Sequence, residues 1–483
     1  MSETTTTTPV KSEVDSRPTM VRTVLLGAQH LLAMYASIAA TPLALAVALD
    51  VPQDQLIYLL TVTALMSGVA TLIQSIGFWK IGARLPLVQG TTFTAVAPMI
   101  LIGSEWGWPA IFGSTIAAGL IALIIAPFFS RLLFLFPPVV TGTTIAAVGI
   151  SLLPISLMWI NGGDPTRETL SLPDLGLAGI TILTILLVTK LSKGFLGRVA
   201  VMVGLVVGTI VAAILGRLDL SPVGSAPWVE IVQPFEFGLP TFPLSAVFAM
   251  TLVMIISMVE TTSDVLAIGE ITETKVDRKR IAAAIRADGL ATALGGVFNA
   301  FPFTAYAQNV SLVQLTRIKS RWVIAAAGGL LVVIGLLPKV SAVVASIPMA
   351  VLGGGALVLF GGVAAVGIKI LGKADLEDAG NLIIVAVSMG LAMMPVAMPT
   401  VFADLPSGVR IVAENSIVLA CVSAIVLNVL FNVIGRGRGA GKVPAEGADP
   451  STDDPSTDGP RADEPRADGP RTDGPSDEVH SRA

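Results

Sequence analysis

Fourteen apolar runs fill this chain between residues 24 and 434, at 24–49, 56–79, 85–102, 109–129, 135–157, 175–191, 196–216, 242–268, 281–298, 301–316, 322–338, 343–371, 381–399 and 414–434. A helix that crosses a bilayer needs about 20 apolar residues, within a range of about 17–25. In hydrocarbon every backbone polar group must be satisfied internally, so this pattern folds as a bundle of membrane-spanning helices. Composition agrees. Of 483 residues, 53% are hydrophobic and 13% charged, and the mean hydropathy is +0.80. That is too apolar for a soluble protein of this length. The reading is an all-α polytopic membrane protein with 14 transmembrane segments.

Basic residues orient it. With the N-terminus inside, the cytoplasmic connections carry sixteen basic residues, among them Lys80, Arg131, Lys193, Lys275, Arg317 and Lys373, whereas the outer connections carry only Arg167, Arg217, Lys339 and Arg410. This is the positive-inside bias, and one miscounted segment would scramble it. It predicts a multi-pass protein of the cell (cytoplasmic) membrane with both termini cytoplasmic. The acidic loop 161–168 then lies outside. The polar N-terminal arm, residues 1–20, is expected to be disordered, and it has no apolar core with a small-residue cleavage site, so no cleaved signal peptide is expected. Residues 436–483 repeat Asp and Pro with almost no apolar residue. Such a tail cannot bury enough surface to offset chain entropy and is expected to be disordered. His480 lies in it and receives no role.

Two segments, 85–102 and 301–316, are short, open with Pro86 and Pro302, and are rich in hydroxyls. Paired interrupted segments in corresponding halves point to a transporter binding site. Pro137, Val140 and Gly142 recur 211 residues later as Pro348, Val351 and Gly353, and Pro86 recurs 216 later as Pro302. An odd number of segments per half forces opposite orientations, so the expectation is a 7+7 inverted repeat. In the second interrupted segment Gln308 and Asn309 place two carboxamides at membrane depth. Such amides offer donors and acceptors side by side, which suits a neutral planar polar ligand.

Ionisable residues inside spans mark function by default. Glu260 and Asp264 lie four apart and therefore on one helix face. Like charges at that spacing repel; the competing reading is an interhelical hydrogen bond that only fixes packing. Asp288 and Glu414 lie near segment ends and read as interfacial. Glu270, Glu273 and the basic cluster after them read as a solvated loop. Gln29 and His30 fall within the first segment. A proton relay is one reading of His30. The preferred one is a neutral histidine that bonds across helices and positions the site, because no second titratable group is near in sequence. Thr92 belongs to a TTFT run at 91–94 with the same two readings, exposed backbone amides or small-residue packing. The runs Gly353–Gly355 and Gly361–Gly362 are expected to let helices approach closely. The single cysteine, Cys421, excludes a disulfide within the chain, and metal-ligand spacing is absent.

Taken together these residues resemble the nucleobase–ascorbate transporter family, the nucleobase–cation symporters. The family's tenth-segment signature appears as Gln308, Asn309, Val310, Ser311, four residues, Thr316 and Arg317. Ser311 stands where the family usually has Gly. Gln29-His30 matches the first-segment motif, and Glu260 with Asp264 the eighth-segment one. The stretch 301–321 looks most like bacterial urate and xanthine permeases. The resemblance implies two short antiparallel strands, at 91–95 and 304–308, in interrupted segments 3 and 10. It also implies a core domain (21–134 and 241–340) and a gate domain (135–240 and 341–435), paired into homodimers. Substrate would contact Glu260 and Gln308, with backbone amides near Phe93 and Ala307 adding hydrogen bonds and Phe93 or Tyr306 meeting the ring. Asp264, His30, Gln29, Asn309, Ser311 and Thr92 would support the site or the coupling. The partners implied are a nucleobase and a proton, or sodium in some members, with no metal, cofactor or nucleic acid.

The function expected is import of an oxopurine, urate or xanthine, by proton symport. Three alternatives stand beside it. A uracil permease of the same family is disfavoured by Gln308 in place of Glu. An anion transporter of the related sulfate-carrier fold would show a cation at the strand ends and no Glu260. A membrane-embedded enzyme lacks any nucleophile–base pair or metal set.

Overall fold

The computed structural model describes residues 13–434 apart from 130, 132, 163–168, 193–194, 407–408 and 411–412; the expected tail and the acidic loop beyond Gly162 lie outside the described residues. In chain order the elements are α1 (Met20–Ala48), α2 (Gln53–Ile76), β1 (Gln89–Thr91), α3 (Val96–Trp106), α4 (Trp108–Phe129), α5 (Pro138–Ser151), α6 (Leu153–Ile160), α7 (Leu172–Leu191), α8 (Phe195–Arg198), α9 (Ala200–Ile214) and α10 (Ser221–Ser225). There follow α11 (Leu244–Ile271), α12 (Arg278–Val297), β2 (Phe303–Ala305), α13 (Ala307–Thr316), α14 (Arg321–Ile334), α15 (Pro338–Ala345), α16 (Met349–Leu371), α17 (Ala379–Ala397) and α18 (Ser416–Asn428), the last continued by a π-helical turn, Val429–Ile434.

The mostly helical membrane fold is what forms. Among the described residues nine helical stretches are long and apolar enough to cross a membrane, α5 with α6 counting as one, and the pair α14–α15, bent by 83°, makes a tenth. The stretches Phe93–Trp106 and Ala200–Ile214 are apolar but short. The remaining expected segments depart for visible reasons. Residues 281–297 fall in α12, which carries Arg278, Lys279, Arg280, Arg286 and Asp288. Residues 301–316 hold β2 and the short α13. The run expected at 343–371 is broken at Pro348, which lacks an N–H and instead sits at the N-cap of α16. Side-chain caps fix other starts. Asp277 accepts from the Arg280 amide ahead of α12, Asp378 from the Asn381 amide ahead of α17, and Asn415 from the amides of Ile417 and Val418 ahead of α18.

The helices pack in two sets. In the first, α4 lies against α11 and α12, while α2 lies against α1, α12, α14 and α15. In the second, α16 lies against α5, α6, α7 and α9, while α18 lies against α5 and α17. Small residues let backbones close up in both. A Cβ on Gly119 would meet the backbone of Gly289 and Ala293, and one on Gly353 that of Ser156 and Ile160. The contact of Gly353 has a counterpart at Gly142, whose absent Cβ would meet Gly367 and Leu371. Each member of the one set, Gly142, Ser156 and Ile160, lies 211 residues before its counterpart Gly353, Gly367 and Leu371. Gly149 and Phe360, also 211 apart, touch each other. Gly361 and Gly362 differ from expectation. Nothing lies within 4 Å of where their Cβ atoms would stand, so they bring no helix close.

The arm, expected disordered to residue 20, is held from residue 13. Val14 is buried. Glu13 pairs with Lys319 at 2.8 Å and Asp15 with Arg321 at 2.6 Å. The Lys319 ammonium, hydrogen-bonded to Glu13 and Glu273, is held above its ordinary pKa.

The crossing of α5 and α16 yields a stability prediction. Gly142→Val and Gly353→Val each force a branched side chain into backbone, an overpacking that costs about 1–3 kcal/mol, so both should lower the temperature at which the detergent-solubilised protein loses its monodisperse peak. Gly361→Ala, in open space, should leave that temperature unchanged or raised.

Candidate functional site

The site is built around the strand pair. β1 and β2 run antiparallel with Gln89 opposite Ala305, Gly90 opposite Thr304 and Thr91 opposite Phe303. Two further bonds extend the ladder, Thr92 N–H to the Pro302 carbonyl at 2.9 Å and Tyr306 N–H to that of Val88 at 3.1 Å. The strands start a residue or two earlier than expected. Phe93–Ala95 is a 3-10 turn, started by Thr92, whose hydroxyl accepts from the Thr94 amide, and 307–316 is helix. A helix therefore begins directly after each strand. First-turn amides have no partner within their helix and make the start electropositive. Phe93 opens the turn leading to α3, and Ala307 and Gln308 open α13.

Side chains from neighbouring helices satisfy the strand edges. Thr71 of α2 accepts from the Gln89 amide at 3.0 Å and donates to its carbonyl at 3.3 Å. Thr292 of α12 accepts from the Phe303 amide at 3.0 Å, and Thr261 of α11 from the Ala305 amide at 3.2 Å. The Thr261 hydroxyl donates to the Asp288 carboxylate at 2.5 Å and lies 3.2 Å from the Thr304 hydroxyl. Gln74 donates to the other Asp288 oxygen at 3.4 Å and accepts from the Ala83 amide at 2.9 Å. Asp288 is thus a wholly buried member of the strand support, not the interfacial residue expected from its place near a segment end. Residue 288 is the eighth of eighteen in the run 281–298 and the eleventh of twenty in α12, mid-helix by either count. Thr261, Gln74 and Thr71 also escaped sequence reasoning. Their signal was a hydroxyl or carboxamide inside an apolar run, too common in membrane helices to single them out.

The expected site residues divide by place. Glu260 is half-buried on α11 and accepts from the Thr94 hydroxyl at 3.4 Å, beside the start of α3. Asp264, one turn on, is buried and within electrostatic reach of both Glu260 and Asp288. Phe93 is buried and meets Phe360 of the second helix set edge-on, centroids 5.7 Å apart. Tyr306 is committed to the strands. Its hydroxyl donates to the Thr91 carbonyl at 3.0 Å, and its ring fills the space above Gly90 that a Cβ would take.

His30 and Asn309 are both wholly buried, and Asn309 Oδ1 lies 2.9 Å from His30 Nδ1. The Asn309 Nδ2 group donates to the Pro86 carbonyl at 2.8 Å. A carbonyl only accepts, so this bond fixes the amide orientation and leaves Oδ1 toward the imidazole. Nδ1 of His30 therefore carries the proton it donates. This bond ties α1 to α13, and the Pro86 bond ties α13 to the start of the first interrupted segment. Gln29 is half-buried on α1. Ser311 lies on α13 with its side chain outside the described residues.

Gln308 is exposed, beside half-buried Ala307. Gln308 lines a cavity of about 260 Å³ whose walls include Ser37 of α1, Leu312 of α13, Met202 of α9 and Leu359 of α16. The cavity therefore lies between the two helix sets. A larger, almost wholly apolar cavity of about 340 Å³ adjoins it and shares Ala36, Met202 and Leu359 as walls. Among the described residues no group of three or more His, Cys, Asp or Glu is placed to hold a metal.

A family model described as a permease family matches residues 21–401. The xanthine permease of Bacillus subtilis (strain 168) is 41% identical over 417 residues, covering 86% of this chain and 95% of that protein. The uric acid permease PucK of the same organism is 44% identical over 412 residues, 84% of this chain and 95% of that protein. The uric acid transporter UacT of Escherichia coli (strain K12) is 40% identical over 424 residues, 87% and 88% of the two chains. Among solved structures, the transmembrane domain of the cyanobacterial bicarbonate transporter BicA aligns with a TM-score of 0.53 at 15% identity, covering 84% of this chain and 98% of that one. The murine anion transporter Slc26a9, in its inward-facing state, aligns with a TM-score of 0.59 at 12% identity, covering 87% and 69%. At such identities the likeness is one of fold.

Removing the shared hydroxyl tests the strand support. Thr261→Val strips the donor from Asp288 and the acceptor from the Ala305 amide, and leaving buried polar groups unpaired costs about 1–3 kcal/mol each. Thermal unfolding of the purified protein should show Thr261→Val clearly destabilised and Thr261→Ser close to wild type.

Proposed function

Because this chain belongs to the nucleobase–ascorbate family of permeases, we propose that it carries an oxopurine nucleobase, xanthine or urate, across the cell membrane together with a proton. It is a transporter and not an enzyme. The observation that carries the reading is the Gln308 carboxamide, exposed at the start of α13 to a cavity between two packed helix sets. An oxopurine edge alternates carbonyl acceptors with N–H donors. A carboxamide answers both, and a carboxylate accepts from N–H. Gln308 is the recognising amide, Glu260 the carboxylate, and Phe93 the aromatic against the ring. Amides at the two helix starts, near Phe93 and Ala307, complete the set. Asn309, His30 and Thr92 hold these groups in place, with Gln29 and Ser311 beside them on α1 and α13. The acidic group Glu260, Asp264 and Asp288 is the place where a proton, or a sodium ion in its stead, couples to substrate.

The layout we infer is seven segments plus seven, inverted. Supporting it are the reciprocal contacts of Gly142 and Gly353 and the pairing of Gln89 with Ala305, residues 216 apart, between strands of the two interrupted segments. The first helix set corresponds to the core (21–134, 241–340) and the second to the gate (135–240, 341–435). Alternating access is motion of the one against the other. Both termini face the cytoplasm, and the unit pairs as a homodimer.

Uptake into cells of labelled xanthine, urate, uracil and sulfate, with and without a proton uncoupler, tests the function. Xanthine or urate should accumulate and the uncoupler should abolish accumulation; preference for uracil or sulfate would replace the reading. For selectivity, Gln308→Glu turns a hydrogen bond to an oxopurine carbonyl into a contact between acceptors. That costs about 1–3 kcal/mol, roughly 5- to 150-fold in affinity. Gln308→Asn should weaken uptake without changing which base competes best. For topology, cysteine at Gly162 should react with an impermeant thiol reagent from outside and cysteine at Asp277 should not, over a low background because Cys421 is buried.

A further inference from the structure

Glu105 lies in the last turn of α3, in the first helix set, and Arg410 and Glu414 precede α18, in the second. The Arg410 guanidinium donates from Nη2 to Glu105 Oε2 at 2.7 Å. Its Nε lies 3.8 Å from Glu414 Oε1. The three side chains are 33%, 27% and 16% exposed, so the pair is screened less than one on an open surface. Among the described residues this is the ion pair that joins the two sets. Asp174 with Arg217 lies within the second set, and Lys319 with Glu13 and Glu273, like Arg321 with Asp15, within the first.

Its position along the membrane normal follows from α1. Gly103, half a turn before Glu105, abuts Leu49 at the C-terminal end of α1. That is the end away from Met20 and the N-terminal arm. The cavity at Gln308 meets α1 at its middle, over Ala33–Ser37, and meets α9 at its first turn, around Val201. Between the cavity level and the Glu105 end, the two sets also meet through the Phe93–Phe360 ring contact. Two contacts thus join the sets on the Glu105 side of the site, and the larger apolar cavity lies between the sets as well, with Leu218 and Leu220 in its wall.

We propose that Glu105 and Arg410 are gate residues. Their ion pair holds the outer ends of the two helix sets together while the substrate site faces inward, and it parts once in every transport cycle. The second carboxylate makes parting cheap. When Glu105 moves away with α3, Arg410 keeps Glu414, four residues on and in its own set, so the cation is never left alone. The pair is then a switch between one shared and one local partner, not a permanent brace. The inference rests on the transporter reading with the two sets moving against each other.

The test uses the full chain with cysteines at both positions, Glu105→Cys with Arg410→Cys, and a reducible bis-methanethiosulfonate cross-linker. Cross-linking should cut uptake of labelled xanthine or urate in proportion to the cross-linked fraction, and reductant should restore it, which separates locking from misfolding. In a second arm Ser37→Cys, on the cavity wall, reports opening to the outside through its labelling by an impermeant thiol reagent. Glu105→Gln should speed that labelling by about fivefold or more, the lower range for coupled two-state equilibria. The exchanged pair Glu105→Arg with Arg410→Glu should bring it back toward wild type. Undiminished uptake by fully cross-linked protein, failure of the two positions to cross-link, or unchanged Ser37→Cys labelling in Glu105→Gln would each overturn the proposal. Absence of uptake in the wild type and in the reduced double variant would instead remove the transporter reading.

Discussion

Two three-residue strands in the middle of an apolar bundle survive only if each backbone group they withdraw from helical bonding finds a partner inside the protein. The rest of the structure is arranged to meet that condition. Thr71, Thr261 and Thr292 reach the strand edges from three helices, Tyr306 reaches back to Thr91, and the ladder runs on to Pro302 and Val88. Asp288 then anchors the Thr261 hydroxyl, and Gln74 holds Asp288. A polar network this deep is costly if half-made and rigid when complete. That rigidity is what a site made of two helix starts requires, because neither α3 nor α13 is long enough to hold its first turn in place alone.

The same condition explains why the two prolines matter. Pro86 and Pro302 have no N–H to satisfy, and their carbonyls are taken up, by Asn309 and by the Thr92 amide respectively. Each interrupted segment thus lends an acceptor to the other. The Asn309 amide links this exchange to His30, so that first segment, third segment and tenth segment are fixed to one another by a single side chain. Gln308, next to it, is left facing the cavity and able to meet a ligand.

Much of this was legible in the chain. Apolar run lengths gave the helical membrane class, the two short proline-led runs marked where helix is interrupted, and the strands there were implied by the family resemblance. What periodicity could not give was which polar side chains turn inward. Asp288 sits close to a cluster of arginines yet lies mid-helix, and its turn inward to Thr261 and Gln74 is a tertiary contact that run lengths do not show. The strand ends were offset because helix follows at Phe93 and Ala307: Thr92 caps the first start locally through the Thr94 amide, while Tyr306 is held to Thr91 and Val88, far away in sequence. Gly361 and Gly362 look like Gly353–Gly355 in sequence, but only the earlier glycines face another helix. The side of a helix on which a small residue falls is a tertiary fact.

The central claim is that a nucleobase is read between the two helix starts that follow the strands. The direct measurement is a cryo-electron microscopy map of the purified protein with bound xanthine or urate. The account predicts density for the ring within hydrogen-bond distance of both Gln308 and Glu260, with Phe93 against its face and the strand pair unchanged. A ring bound away from both side chains, for example wholly within the adjoining apolar cavity, would contradict it.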